Sequence, residues 1–124
     1  MEFTTVGTSY RDNAYTFVNE TVNTRNGFAH ISRLFIDGIQ VSENKVNCLN
    51  RTWEQYRYQT AMMGAVHKLI KERKDDLERA FKHANGIKRM TESRRKELED
   101  IWNKDEFLDE YYELYNAIRF WEYY

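Results

Sequence analysis

The chain has 124 residues, a mass of 15.1 kDa and a formal net charge of −1. That length holds one domain with one core, and 19 basic residues balanced by 20 acidic ones exclude a histone-like polybasic protein. Aromatics at 15% are too plentiful for a disordered chain, and no apolar run reaches the roughly 18 residues of a membrane span.

The first fifty residues read as antiparallel strands. Phe3 to Gly7 is a short strand. Ala14 to Asn23 alternates, with β-branched and aromatic residues dominating. Asn26-Gly27 then marks a type I′ hairpin turn before a return strand from Phe28 to Ile36. Asp37-Gly38 repeats the signal ahead of Ile39 to Val41, and Val46 to Leu49 reads as a last, separate strand. A meander of three to five strands is expected.

At Asn50 the period changes. Thr52 and Gln55 form a capping-box pattern. Trp53, Tyr56, Met63, Ile70, Leu77 and Phe81 follow on a seven-residue ladder, widened by Met62, Val66 and Leu69. His67 lies on that ladder and reads as a packing residue. Asn85-Gly86 supplies a left-handed stop. A helix from Thr52 to His83 would be about 48 Å long at 1.5 Å per residue, against about 28–30 Å for a compact monomer of this size. It therefore needs a partner along its length. Thr91 caps a second helix, which Asn103 to Asp105 either kinks or splits. Eight of the eighteen residues from Phe107 to Tyr124 are aromatic, more than one stripe hides in a monomer, and they point to an oligomer interface. The expected architecture is α+β in a single domain. Residues 1–50 form an N-terminal antiparallel β-meander, and residues 51–124 form two long C-terminal helices in a helical hairpin.

Cysteine and histidine usage removes several enzyme classes. Cys48 is alone, so no internal disulfide forms, and it reads as a buried structural residue. His30, His67 and His83 lie far apart, with no HExxH or CxxC spacing, so no metal site is expected. GxSxG, GxxxxGK[ST] and GxGxxG are absent. With no activated nucleophile or catalytic dyad in view, neither an enzyme nor a cofactor is expected. No secretory leader opens the sequence, and a cytoplasmic location is expected.

Charge is unevenly spread. Residues 51–96 carry thirteen basic and six acidic side chains, and residues 97–124 carry two basic and nine acidic. The basic middle concentrates in Lys82 to Lys96, KHANGIKRMTESRRK, where six cations face the single Glu92. Its glycine turn leads into a helix N-terminus, which favours an anion. Lys88, Arg89, Arg94 and Arg95 are candidates for charge-assisted bonds to phosphate, with Thr91 as a hydroxyl donor. Asn85 and Gly86 offer groups to a base edge. The plain reading of the same stretch is a solvated turn whose cations offset the acidic tail. In NRTWEQYRY, Arg57 flanked by aromatics is a further phosphate candidate. Phe81 is either core or the aromatic wall of a site beside the turn.

The meander, the helix opening NRTWEQYRYQTAM, the turn NGIKRMT and the aromatic, acidic last helix together resemble the first described family of phage Thoeris anti-defence proteins. The resemblance covers most of the chain in size and element order. It implies an oligomeric sponge in the bacterial host cytoplasm. Such a protein sequesters, without cleaving, cyclic ADP-ribose signals from TIR-domain proteins, and some sponges also hold cyclic di- or trinucleotides. The site residues expected from the chemistry above are Arg57, Phe81, Asn85, Gly86, Lys88, Arg89, Thr91, Arg94 and Arg95, with no metal. Two alternatives stand beside it. One is a phage inhibitor that binds a host defence protein through Asp109, Glu110, Tyr111 and Glu113, as an anti-CRISPR-like or nucleic-acid mimic. The less favoured one is a nucleic-acid binder using the basic middle, whose affinity would fall steeply with salt. No membrane partner is expected.

Overall fold

A computed structural model describes residues 2–10, 13–25, 27–48 and 54–119, with side chains for 14–25, 27–47 and 58–119. Four strands come first: β1 (Glu2–Tyr10), β2 (Asn13–Thr24), β3 (Gly27–Ile36) and β4 (Ile39–Cys48). Three helices follow: α1 (Glu54–Asn85), α2 (Glu92–Lys104) and α3 (Glu106–Arg119). The architecture is α+β, as expected. The strands form one antiparallel sheet in the order β1-β2-β3-β4, a simple meander.

The β3–β4 turn is the two-residue type that Asp37-Gly38 signals. Ile36 pairs with Ile39, and Asp37 (φ 51) and Gly38 (φ 83) both take the positive φ that a type I′ turn requires. Asp37 also ties the turn to β2. Its amide donates to the Ala14 carbonyl at 3.0 Å, and its Oδ1 accepts from the Ala14 amide at 3.0 Å.

β4 departs from expectation. It is one continuous strand of ten residues, not two short ones. The polar run Ser42 to Lys45 reads as a break because its alternation carries no apolar signal. Three of its four side chains are nonetheless engaged. Ser42 Oγ donates to the Ala65 carbonyl at 2.6 Å and Asn44 Nδ2 to the Ala61 carbonyl at 3.2 Å, both on α1. Glu43 pairs with Arg33 on the opposite face at 3.1 Å.

α1 crosses the sheet on β3 and β4, where Ala61, Gly64 and Ala65 let the two backbones come close. A methyl group at Gly64 would lie only 2.0 Å from Asn44 Nδ2. The core between sheet and helices holds Tyr15, Phe17 and Leu34 from the strands. Met62, Val66, Leu69 and Ile70 come from α1, and Leu108, Tyr111, Leu114 and Ile118 from α3. The buried line of α1 thus centres on Met62, Val66 and Leu69, which the sequence ladder placed at its edge. His67 is exposed, not packed, because it lies on the opposite side of that line.

The second helical segment is split in two, so the described helices number three and not two. α2 ends at Asp105, whose extended backbone (φ −74, ψ 121) breaks the run. α2 and α3 run back along α1. Gln59 Nε2 donates to the Ile118 and Arg119 carbonyls, Arg73 meets Asp105, and Trp102 Nε1 donates to the Lys74 carbonyl. The partner that the 32-residue α1 needs is therefore supplied, over this stretch, by the chain's own α2 and α3. Not all of the apolar surplus is absorbed. Ile101, Phe107 and Tyr112 remain exposed. No described helix is long and apolar enough to cross a membrane.

Candidate ligand-binding site

The basic turn sits where α1 stops and α2 starts. Gly86 takes φ +61, which ends the helix. The Ile87 amide then donates to the Lys82 carbonyl at 2.9 Å and the Gly86 amide to the His83 carbonyl at 3.4 Å. These bonds satisfy carbonyls that the helix end leaves open. Five residues after Gly86, Thr91 caps α2 with extended backbone, and its hydroxyl accepts from the Arg94 amide at 3.3 Å. A glycine stop and a threonine start thus hold residues 86–91 between two helix ends.

Lys88, Arg89 and Arg95 are exposed, and among the described residues none of them forms an ion pair with an acidic side chain. Arg94 is half-buried and is partly neutralised by Glu97 Oε2 at 3.0 Å. Asn85 donates its amide to the Phe81 carbonyl at 2.9 Å and is otherwise exposed. Phe81 itself is buried, so its ring serves packing at this end of α1 instead of standing free as a wall. His83 is exposed beside the turn. The side chain of Arg57 lies outside the described residues, as do those of Cys48 and Trp53. What the structure brings together is a cationic rim, Lys88, Arg89 and Arg95 beside the start of a capped helix. Helix dipole and cations act in the same direction there, so the rim favours an anion.

A second constellation lies at the α2–α3 elbow. Its pivot is Asp105. Oδ1 accepts from Arg73 Nη2 at 2.7 Å, and Oδ2 accepts from Arg73 Nε at 3.0 Å. Oδ2 also accepts from the Leu108 amide at 3.0 Å, which caps α3. The Arg73 guanidinium holds the Asp105 carboxyl below the usual carboxylate range, and the carboxylate in turn raises Arg73. Arg73 lies 4.9 Å from the centre of the Phe107 ring. Beside this pivot is a cleft of about 300 Å³ lined by Lys74, Glu99, Trp102, Asn103, Leu108 and Tyr112. The Lys74 ammonium lies 5.1 Å from the Trp102 ring centre and 5.4 Å from that of Tyr112. The sequence does signal a break at Asn103 to Asp105. It carries no signal that Lys74, about thirty residues upstream, would meet both rings, because that depends on the length of the return along α1.

A third feature is a polar row inside the core. Asn19, Ser32 and Asn44 are register partners across β2, β3 and β4, and the first two are almost fully buried. Next to this row, Thr21 Oγ1 meets both His30 Nδ1, at 2.8 Å, and the Tyr58 hydroxyl. The His30 and Tyr58 rings lie 4.0 Å apart. Asn19, Asn44 and Thr21 join the sheet to α1, through the Met62 sulfur, the Ala61 carbonyl and the Tyr58 hydroxyl, whereas the buried Ser32 hydroxyl makes no hydrogen bond among the described residues.

The acidic residues of the alternative reading do not share a face. Asp109 and Glu113 are exposed, whereas Glu110 and Tyr111 are buried. The Tyr15 phenol is pushed well above its ordinary range by burial, reinforced by the charge of the Glu110 carboxylate. Glu110 is thereby committed to the core. Among the described residues no group of three or more histidines, cysteines or acids could hold a metal ion. Comparison with protein families, curated proteins and solved structures finds no match.

Proposed function

We propose that this protein is a non-catalytic sponge. It binds and sequesters cyclic ADP-ribose-type signals, with cyclic di- and trinucleotides as further ligands, and so blocks Thoeris-type defence in the bacterial cytoplasm during phage infection. The observation that carries the reading is the rim of Lys88, Arg89 and Arg95 beside the capped start of α2, three exposed cations with no acidic partner among the described residues. A pyrophosphate is a compact anion that such a rim suits. The resemblance of the chain to the first described Thoeris anti-defence family supplies the ligand class. Sequestration asks only for tight binding and slow release. An exposed rim gains both when a second copy of the chain closes over it, and the exposed Ile101 and Phe107 support a homodimer or larger homo-oligomer.

The inhibitor reading is weaker, because two of its four residues, Glu110 and Tyr111, are buried. Charge reversal separates the two. In an Arg89→Glu, Arg95→Glu variant, thermal stabilisation by cyclic ADP-ribose isomers should vanish while the ligand-free melting temperature stays close to that of the parent, since both side chains are exposed. Retention of the full ligand-induced shift in that variant would refute the rim as the site.

A further inference from the structure

We propose that the elbow cleft is a separate binding site for a nucleoside monophosphate. The inference rests on the elbow geometry alone and does not depend on how the basic turn is read. All three helices contribute: Lys74 from α1, Glu99, Trp102 and Asn103 from α2, and Leu108 and Tyr112 from α3. The walls are held by hydrogen bonds and an ion pair. Trp102 is tied to α1 through its indole N–H on the Lys74 carbonyl at 3.3 Å. The start of α3, which carries Leu108 and Tyr112, is fixed by Asp105 and Arg73. A site built this way is pre-formed, as ligand pockets usually are.

The lining selects the ligand. Trp102 and Tyr112 can stack a flat base once the Lys74 ammonium, which lies over both rings, turns to the phosphate, and stacking on such rings is tolerant of base identity. Leu108 is an apolar floor. Asn103 presents both a donor and an acceptor, and Glu99 accepts from an exocyclic amine, a pairing suited to the edge of adenine. Lys74 is half-buried, lies near both rings and has no ion pair among the described residues. Its ammonium is the natural contact for a phosphate. With one cation and one carboxylate in the lining, a single phosphate is accommodated and a polyphosphate chain is not. The volume of about 300 Å³ lies at the small end of ligand pockets, which again suits a mononucleotide.

The test uses adenosine monophosphate as probe on the full chain, followed by calorimetry and by the NMR signal of the Trp102 indole N–H. The signal is assigned with Trp102→Phe. Saturable binding that shifts this resonance is expected, with adenosine alone and inorganic phosphate alone each binding more weakly. Lys74→Met should weaken binding about tenfold or more, since it removes a charge-assisted bond and keeps the apolar stem. Tyr112→Ala should weaken it by about five- to a hundredfold by loss of one stacking wall, with little effect on folding because that ring lies outside the core cluster. The Arg89→Glu, Arg95→Glu variant should bind the probe like the parent. An unmoved Trp102 resonance, or wild-type affinity in both Lys74→Met and Tyr112→Ala, overturns the proposal. Binding lost only on reversing Arg89 and Arg95 also overturns it, and would leave the basic turn standing as the nucleotide site.

Discussion

Asp105 is the residue on which the helical half turns, and two substitutions separate its two roles. Asp105→Ala removes the cap of α3 together with the bidentate pair to Arg73. Asp105→Asn keeps a capping side chain of equal rank and removes only the charge. The cap contributes about 1 kcal/mol. The pair lies between the surface and buried limits, with side-chain exposures of 32% for Arg73 and 11% for Asp105. About 1.5 kcal/mol is therefore reasonable for it. Urea unfolding at fixed protein concentration and pH 7 should show a loss of about 1.5 kcal/mol for Asp105→Asn and about 2.5 kcal/mol for Asp105→Ala. The pH dependence supplies a second readout. Arg73 lowers the folded-state pKa of Asp105, so its stabilisation is present above the unfolded value of about 3.9 and is lost as pH falls through the lower folded value. The gap between parent and Asp105→Asn should be constant from about pH 5 to 7 and close below about pH 4. Equal losses in the two variants would show that the cap contributes nothing. A loss under about 0.5 kcal/mol in Asp105→Ala would refute the pivot altogether.

Four further outcomes follow from the packing. Gly64→Ala should destabilise the protein by about 1–2 kcal/mol in chemical denaturation, because the new methyl displaces the Asn44 amide from the Ala61 carbonyl. In an Asn44→Ala background the same change should become stabilising by about 0.5–1 kcal/mol through helix propensity, so the sign itself is the test. Gly86→Ala should cost about 1 kcal/mol from backbone strain at φ +61, as nothing lies within 4 Å of the added methyl. Thr91→Ala should cost about 1 kcal/mol, read by thermal unfolding, through loss of the bond to the Arg94 amide. Finally, burial and Glu110 raise Tyr15, so the folded state holds its phenolic proton more tightly than the unfolded one. Stability should therefore fall as pH rises above about 10, and Tyr15→Phe should flatten that alkaline decline.

The sheet was legible because its signals are local. Asp37-Gly38 dictates a type I′ turn whatever surrounds it, and Ala14 to Asn23 alternates across β2 without interruption. Both ends of the basic turn were legible for the same reason. Gly86 is where a left-handed residue is needed, and Thr91 is a cap by its own hydroxyl. Features that depend on tertiary contact were hidden. Ser42 and Asn44 look like a strand break until the carbonyls of Ala61 and Ala65 are placed above them. His67 looks like core until the approach of β3 and β4 selects which line of α1 faces inward. Phe81 fits a wall or a core equally well in sequence, and only the burial of α1's far end decides. The elbow cleft joins Lys74 to Trp102 and Tyr112 across two helix returns, a distance no spacing rule spans. The exposed cations of the rim were foreseen individually, whereas the pairing of Arg94 with Glu97 follows from their three-residue offset on α2.

The most direct test of sequestration is native mass spectrometry of the purified protein with cyclic ADP-ribose isomers, cyclic di- and trinucleotides, NAD and a short DNA duplex. One series of spectra reads oligomeric state and bound mass together. Sequestration requires a homo-oligomer that takes up a cyclic nucleotide at micromolar concentration and releases it with its mass unchanged after heating. Absence of any cyclic nucleotide adduct at that concentration, or recovery of a hydrolysed product, would contradict it.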